Sequence, residues 1–133
     1  MKRRQRHIML AAAVIAFLCV ALGAFAAHAL GDSLAGRAQH QFELGIRYAF
    51  YHALAILGAG LALPIAARPR CLSQAAGLLI LGTGLFSGSL LLLALTQLNF
   101  FAILTPVGGL CLLAAWGWFA FSMLPGRGNS GES

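Results

Sequence analysis

Long apolar stretches alternate with short polar ones along this chain. Four of them, Ile8–Leu30, Tyr48–Ala67, Cys71–Leu95 and Phe100–Leu124, contain no Asp, Glu, Lys or Arg. Each reaches the roughly 17 to 25 residues that an α-helix needs to cross the hydrocarbon core of a bilayer. The pattern predicts an all-α integral membrane protein. Four transmembrane helices, near residues 8–30, 46–67, 74–96 and 100–124, form one membrane domain over 1–124.

Between the first two runs the period changes. At about 100° per residue, Leu34, Ala38, Phe42 and Gly45 fall on one side of residues 33–45, while Gln39, His40 and Glu43 fall on the other. Gly31 suits a helix C-cap, and Asp32 or Ser33 an N-cap. This amphipathic segment is expected to lie at the membrane surface or to lead directly into the second span. Pro64 should end that span. In Thr105-Pro106-Val-Gly-Gly109, Pro106 would remove a backbone hydrogen bond from a continuous helix. A helix capped by Thr105 and starting at Pro106 avoids that loss, with Asn99–Leu104 as an interfacial turn. The alternative is a kinked helix from Phe100. Trp116 and Trp118 suit an interfacial aromatic belt, and residues 125–133 read as a polar, disordered tail.

Composition agrees with this partition, since 60% of residues are hydrophobic and 9% charged, against roughly a quarter charged in soluble domains. The net charge of +6 does not form a nucleic-acid-binding face, because the basic residues flank spans. Lys2, Arg3, Arg4 and Arg6 precede the first span, Arg68 and Arg70 separate the second and third, and Arg127 follows the fourth. Only Arg37 and Arg47 fall on the other side, so the positive-inside rule puts both termini in the cytoplasm of a multi-pass protein of the cell (inner) membrane. The partners expected are the lipid bilayer and, at the basic N-terminus, anionic lipid headgroups; nucleic acid is not among them. The N-terminal segment imitates a signal peptide with its small-residue triplets at Ala24–Ala26 and Ala27–Ala29. Its apolar run exceeds the roughly 7 to 15 residues of a signal h-region, however, so the first span is expected to be retained. Cys19, Cys71 and Cys111 have no CxxC spacing and read as small hydrophobes.

Polar groups inside apolar runs are the default place to look for function. From the expected span ends, His28, His52, Thr96, Gln97, Asn99 and Thr105 fall in one outer-leaflet layer. Thr83, Ser87 and Ser89 could extend that layer inward. Glu43 and Arg47 have the i, i+4 order of a helical ion pair at the membrane boundary. His52 points about 140° away from Arg47, so one helix cannot gather His40, Glu43 and His52 around an ion. A His28–His52 pair across helices is the arrangement with ligand character, for Zn, Cu or Fe. Without an evident third ligand, and with Arg47 near, no metal and no cofactor is expected. Gly77, Gly84 and Gly88 share a face, and Gly84–Gly88 is a GxxxG motif. That face should pack against another helix of the bundle, with a homo-oligomer as the lesser option. Catalytic triads, phosphate loops, HExxH and paired acids are missing from the sequence, so no enzyme activity is expected.

The segments "LGAFAAHAL", "FELGIRYAFYHALAIL", "LFSGSLLLLAL" and "LTPVGGLCLLAAW" together resemble, in order, a bacterial membrane-protein family called domain of unknown function 423. It is similar to the eukaryotic transmembrane protein 256 family. The likeness runs from about Ala12 to Trp116. Ala26 replaces the second glycine of the first motif, and Ala49 a glutamine of the second. Carried over residue by residue, the motif positions are His28, Glu43, Arg47, Tyr48, Tyr51, His52, Ser87, Gly88, Thr105, Pro106, Gly108 and Gly109. The resemblance implies an integral membrane protein and supplies no activity. The leading expectation is a non-enzymatic bundle whose polar cluster organises the fold or engages a membrane partner. A small-solute, proton or ion conduit is the runner-up, and it gains if Thr83 and Ser87 share a cavity with His52.

Overall fold

The computed structural model describes residues 2–126, so residues 127–133, and with them Arg127 and most of the expected tail, lie outside the described residues. Four helices follow one another: α1 (Arg3–Ala29), α2 (Arg37–Ala62), α3 (Pro69–Thr96) and α4 (Asn99–Met123). At 25 to 28 residues each, all four are long and apolar enough to cross a membrane. Short connections make sequence neighbours antiparallel. One end of the bundle, the terminal end, carries the start of α1, the α2–α3 turn and the end of α4. The opposite, hairpin end carries the α1–α2 and α3–α4 connections.

Several helix boundaries differ from the expected span ends. α2 starts at Arg37, directly after Gly36, whose φ of 57° is open to glycine. From Arg37 on, the amphipathic segment therefore leads directly into the second span, the second of its two expected placements. Its far end comes early, at Ala62, because Pro64 follows within two residues. α3 begins at Pro69, where the fixed φ of proline suits the first helical position, about a turn before the expected start. Of the two placements open for Pro106, α4 takes the one inside a continuous helix, for it starts at Asn99 and runs through the proline. Within a membrane such an interruption is tolerated when Ser or Thr side chains take up freed backbone groups. The group freed by the missing N–H is the Ala102 carbonyl, while the Thr105 hydroxyl, beside the proline, bonds the Phe101 carbonyl at 3.2 Å.

α3 is the centre of the bundle. It packs along both α2 and α4, whereas α1 packs on α2 and touches α3 lightly. The main core consists of Ile8, Ala12, Ile56, Ala59, Leu72, Ala76, Leu79, Leu112 and Ala115, all in the terminal half. Large apolar side chains such as Phe17 (72% exposed) and Leu110 (67% exposed) cover the outside. In water that surface would aggregate, but in lipid it faces its own kind.

Since lipid removes most of the hydrophobic drive between helices, close backbone approach decides which faces meet. A Cβ on Gly108 would fall on the Phe86 backbone nitrogen and within 2.7 Å of its Cα, so α4 crosses α3 where only glycine fits. Gly82 faces Leu112 in the same interface, and Gly45 of α2 lies against the Ser87 carbonyl, where a Cβ would sit 3.2 Å away. Gly109 leaves ordinary van der Waals room to the Phe86 ring. The expected small-residue face is different: a Cβ at Gly77, Gly84 or Gly88 would meet nothing within 4 Å. Periodicity put these three on one face, but that face does not touch another helix of this chain.

The two kinds of glycine should separate in an unfolding assay in detergent. Gly108→Ala should lose about 1–3 kcal/mol through overpacking. Gly84→Ala, with open space around it, should stay within about 0.5 kcal/mol of the parent protein. Equal stabilities for the two variants would refute the tight α3–α4 crossing.

Candidate functional site

The α3–α4 crossing brings the second half of α4 within side-chain reach of α2. His52, on the buried face of α2, is 7% exposed. Its Nδ1 lies 2.7 Å from the Tyr48 carbonyl one turn earlier, and the Trp116 Nε1–H donates to its Nε2 at 3.2 Å. An indole nitrogen can only donate, so Nε2 must offer its lone pair. The proton is thereby assigned to Nδ1, which donates to the carbonyl, and the ring is a neutral imidazole with both nitrogens engaged. Aromatic rings enclose it. Tyr48 stacks on His52 with centroids 6.3 Å apart, and touches Phe86 of α3 at 5.3 Å. Trp116 meets Phe119 at 5.6 Å. The histidine–indole bond thus links α2 to α4, two helices whose backbones are not neighbours.

This geometry divides the expected outer-leaflet layer. Because α2 starts at Arg37, His52 lies about 15 residues along it, roughly 22 Å of rise, near the middle of the helix. His28 is exposed one residue from the end of α1. Both ring nitrogens of His52 are occupied by other groups, so the His28–His52 pair does not form. Among the described residues no three His, Cys, Asp or Glu side chains come together.

A second polar contact ties α3 to α4 nearer the hairpin end. The Ser89 and Thr105 hydroxyls are 2.7 Å apart, while Ser89 also reaches the Phe86 carbonyl at 2.9 Å. With Thr105 on Phe101, two hydroxyl hydrogens serve three contacts. One hydroxyl therefore donates to the other while its partner donates into its own helix. Thr83 donates to the Leu79 carbonyl at 2.6 Å, wholly within α3. The Ser87 hydroxyl is the exception: the residue is 3% exposed and its oxygen has no partner. With Thr83, Gly84 and Gly88 it lines an apolar cavity of about 290 Å³ between α3 and the middle of α1. His52 does not line this cavity.

The remaining candidates are on the surface. Glu43 accepts from Gln39 Nε2 at 2.9 Å in place of the expected partner Arg47. A neutral amide one turn back meets the carboxylate without holding a long arginine side chain in one geometry. Glu43 and Arg47 line a separate cavity of about 420 Å³ between the end of α1 and the start of α2. Tyr51 is 56% exposed.

Three residues escaped sequence reasoning. Trp116 serves His52, and Trp118 donates to Gln74 Oε1 at 3.1 Å; neither indole N–H is left for an interfacial belt. Arg68 donates to the Phe121 and Pro125 carbonyls, each at 3.2 Å, and stands over the Phe121 ring at 4.4 Å, closing the end of α4. A signal for the first existed: an indole N–H in a span needs an acceptor, and a buried imidazole has two nitrogens to satisfy.

A family model described as "Protein of unknown function (DUF423)" matches residues 22–109. The chain is 41% identical over 115 residues to the UPF0382 inner membrane protein YgdD of Escherichia coli strain K12, covering 84% of each. It is 38% identical over 104 residues to a UPF0382 membrane protein of Haemophilus influenzae, covering 78% of this chain and 82% of the relative. The UPF0382 membrane protein YwdK of Bacillus subtilis is 33% identical over 104 residues, with 78% and 85% covered. No solved structure matches.

The His52–Trp116 bond can be isolated in a double-mutant cycle with His52→Phe and Trp116→Phe, measured by unfolding in detergent. A coupling of about 0.6 to 1.7 kcal/mol is expected for a hydrogen bond between membrane helices. Nitrogen NMR of labelled histidine should find His52 protonated at Nδ1 alone. Additive single substitutions, or an Nε2–H signal, would contradict the assigned bond.

Proposed function

Since the chain belongs to the DUF423 family of membrane proteins, we propose that it is a non-enzymatic protein of the inner membrane with a structural or partner-binding role. The observation that carries this reading is that, Ser87 apart, the polar groups deep in the spans are engaged by the bundle itself. His52 uses both nitrogens within the protein, Thr83 bonds its own helix, and Ser89 and Thr105 bond each other. A catalyst or a conduit needs such groups aimed at a substrate. Open space at Gly77, on the exposed side of α3 and outside the cavity that Gly84 and Gly88 line with α1, leaves room for a helix from outside the chain, either a partner or a second copy. The basic residues at the terminal end support cytoplasmic termini, because Lys2, Arg3, Arg4, Arg6, Arg68 and Arg70 gather there, against Arg37 and Arg47 at the other end.

Transport is the weaker reading. It needs Thr83 and Ser87 to share a polar path with His52, whereas their cavity is apolar and His52 does not line it. The test pairs a deletion strain with purified protein in liposomes. Membrane-stress sensitivity of the strain should be restored by the parent gene, with solute uptake unchanged by deletion. The liposomes should show no saturable flux of protons, ions or small solutes above protein-free controls. Saturable flux that disappears on His52→Ala would overturn the proposal in favour of a conduit.

A further inference from the structure

At the terminal end, the start of α1, the α2–α3 turn and the start of α3 enclose a cleft of about 590 Å³. That volume is within the roughly 300–1,000 Å³ of small-molecule sites. Three cations line it: Lys2 and Arg4 from α1 and its cap, and Arg70 from α3. Leu63, Pro64 and Ala66 supply an apolar wall. Among the described residues no carboxylate is found at this end, since Asp32 and Glu43 belong to the opposite one.

The contrast between the two arginines of the turn is informative. Arg68 is committed to the α4 carbonyls and the Phe121 ring. Arg70, two residues on, has no such bond among the described residues and faces the cleft. The cleft is also held in shape without a ligand. Gln5 Nε2 donates to the Gly60 carbonyl at 2.9 Å, pinning the start of α1 to the end of α2. Neither α1 nor α3 has an acid in its first turn or a side-chain cap, so their N-terminal dipoles add to the positive field of the three side chains.

Position identifies the ligand. Lys2 precedes the first residue of α1 and Arg70 is the second residue of α3, so the cations sit where the spans meet the headgroup layer. An anion arriving there with an apolar continuation matches both walls. We infer that this cleft binds the phosphate of an anionic glycerophospholipid, with Lys2, Arg4 and Arg70 around the phosphate and the glycerol end against Leu63, Pro64 and Ala66. Such a site is independent of whether the bundle engages a protein partner.

The experiment uses the full-length protein in neutral detergent, with retention of added phosphatidylglycerol or phosphatidylcholine measured by native mass spectrometry. One phosphatidylglycerol per chain should be held in preference to phosphatidylcholine, and rising salt should release it. Each lost cation is expected to weaken retention by about fivefold, so Arg4→Gln with Arg70→Gln should lose about 25-fold. Arg3→Gln with Arg6→Gln removes the same charge from neighbouring positions outside the cleft and should retain most of the binding. Thermal unfolding of both double variants, whose altered side chains are exposed, confirms the fold. Equal retention of the two lipids, or equal losses in the two double variants, overturns the site in favour of diffuse attraction. Displacement of the lipid by inorganic phosphate or glycerol phosphate at low concentration overturns the lipid assignment in favour of a soluble phosphate ligand.

Discussion

The contact between Gly108 and the backbone of Phe86 sets the distance between α3 and α4, and several other interactions inherit that distance. With the helices this close, Leu112 settles over Gly82, and Cys111 Sγ comes 3.5 Å from the Leu78 carbonyl. The Ser89 and Thr105 hydroxyls can then touch. Two turns beyond Gly108, the Trp116 indole is delivered across the face of α3 to His52 on α2. A wider crossing would pull both polar links apart. In hydrocarbon, separated groups would have no water to replace them.

Polar residues in this bundle therefore act mainly as fasteners placed by close packing. Their positions form no continuous track through the membrane: one link is near the middle, one is nearer the hairpin end, and Thr83 is folded into its own helix. The packing is also uneven. The core gathers in the terminal half, where Gly60 takes the Met9 side chain and Gln5 ties α1 to α2. Toward the hairpin end α1 stands off from α3, leaving the apolar cavity that Ser87 faces.

Span number and the membrane character were legible because charge exclusion and length are properties of single segments. The family was legible from four short motifs in order. Depth and facing were harder, since they depend on pairs. Counting from residue 46 instead of Arg37 puts His52 near the end of its helix, whereas it lies near the middle of α2. The Gly84–Gly88 repeat was read correctly as one face, but sequence cannot say whether a face meets a helix or lipid. Glu43 illustrates the same limit: its i+4 neighbour Arg47 and its i−4 neighbour Gln39 are equally near along the chain, and local rotamers choose the amide. At Pro106 a rule about isolated helices was overridden by a tight crossing, since Gly108, two residues on, packs the helix against the α3 backbone.

The tautomer fixed by Trp116 has an electrical consequence. A charge carried across a membrane is worth about 2.3 kcal/mol for every 100 mV of potential. This bundle keeps its basic residues at its ends and a neutral imidazole, held between a carbonyl and an indole, at its middle. The membrane voltage consequently finds no charge on the His52 ring on which to pull.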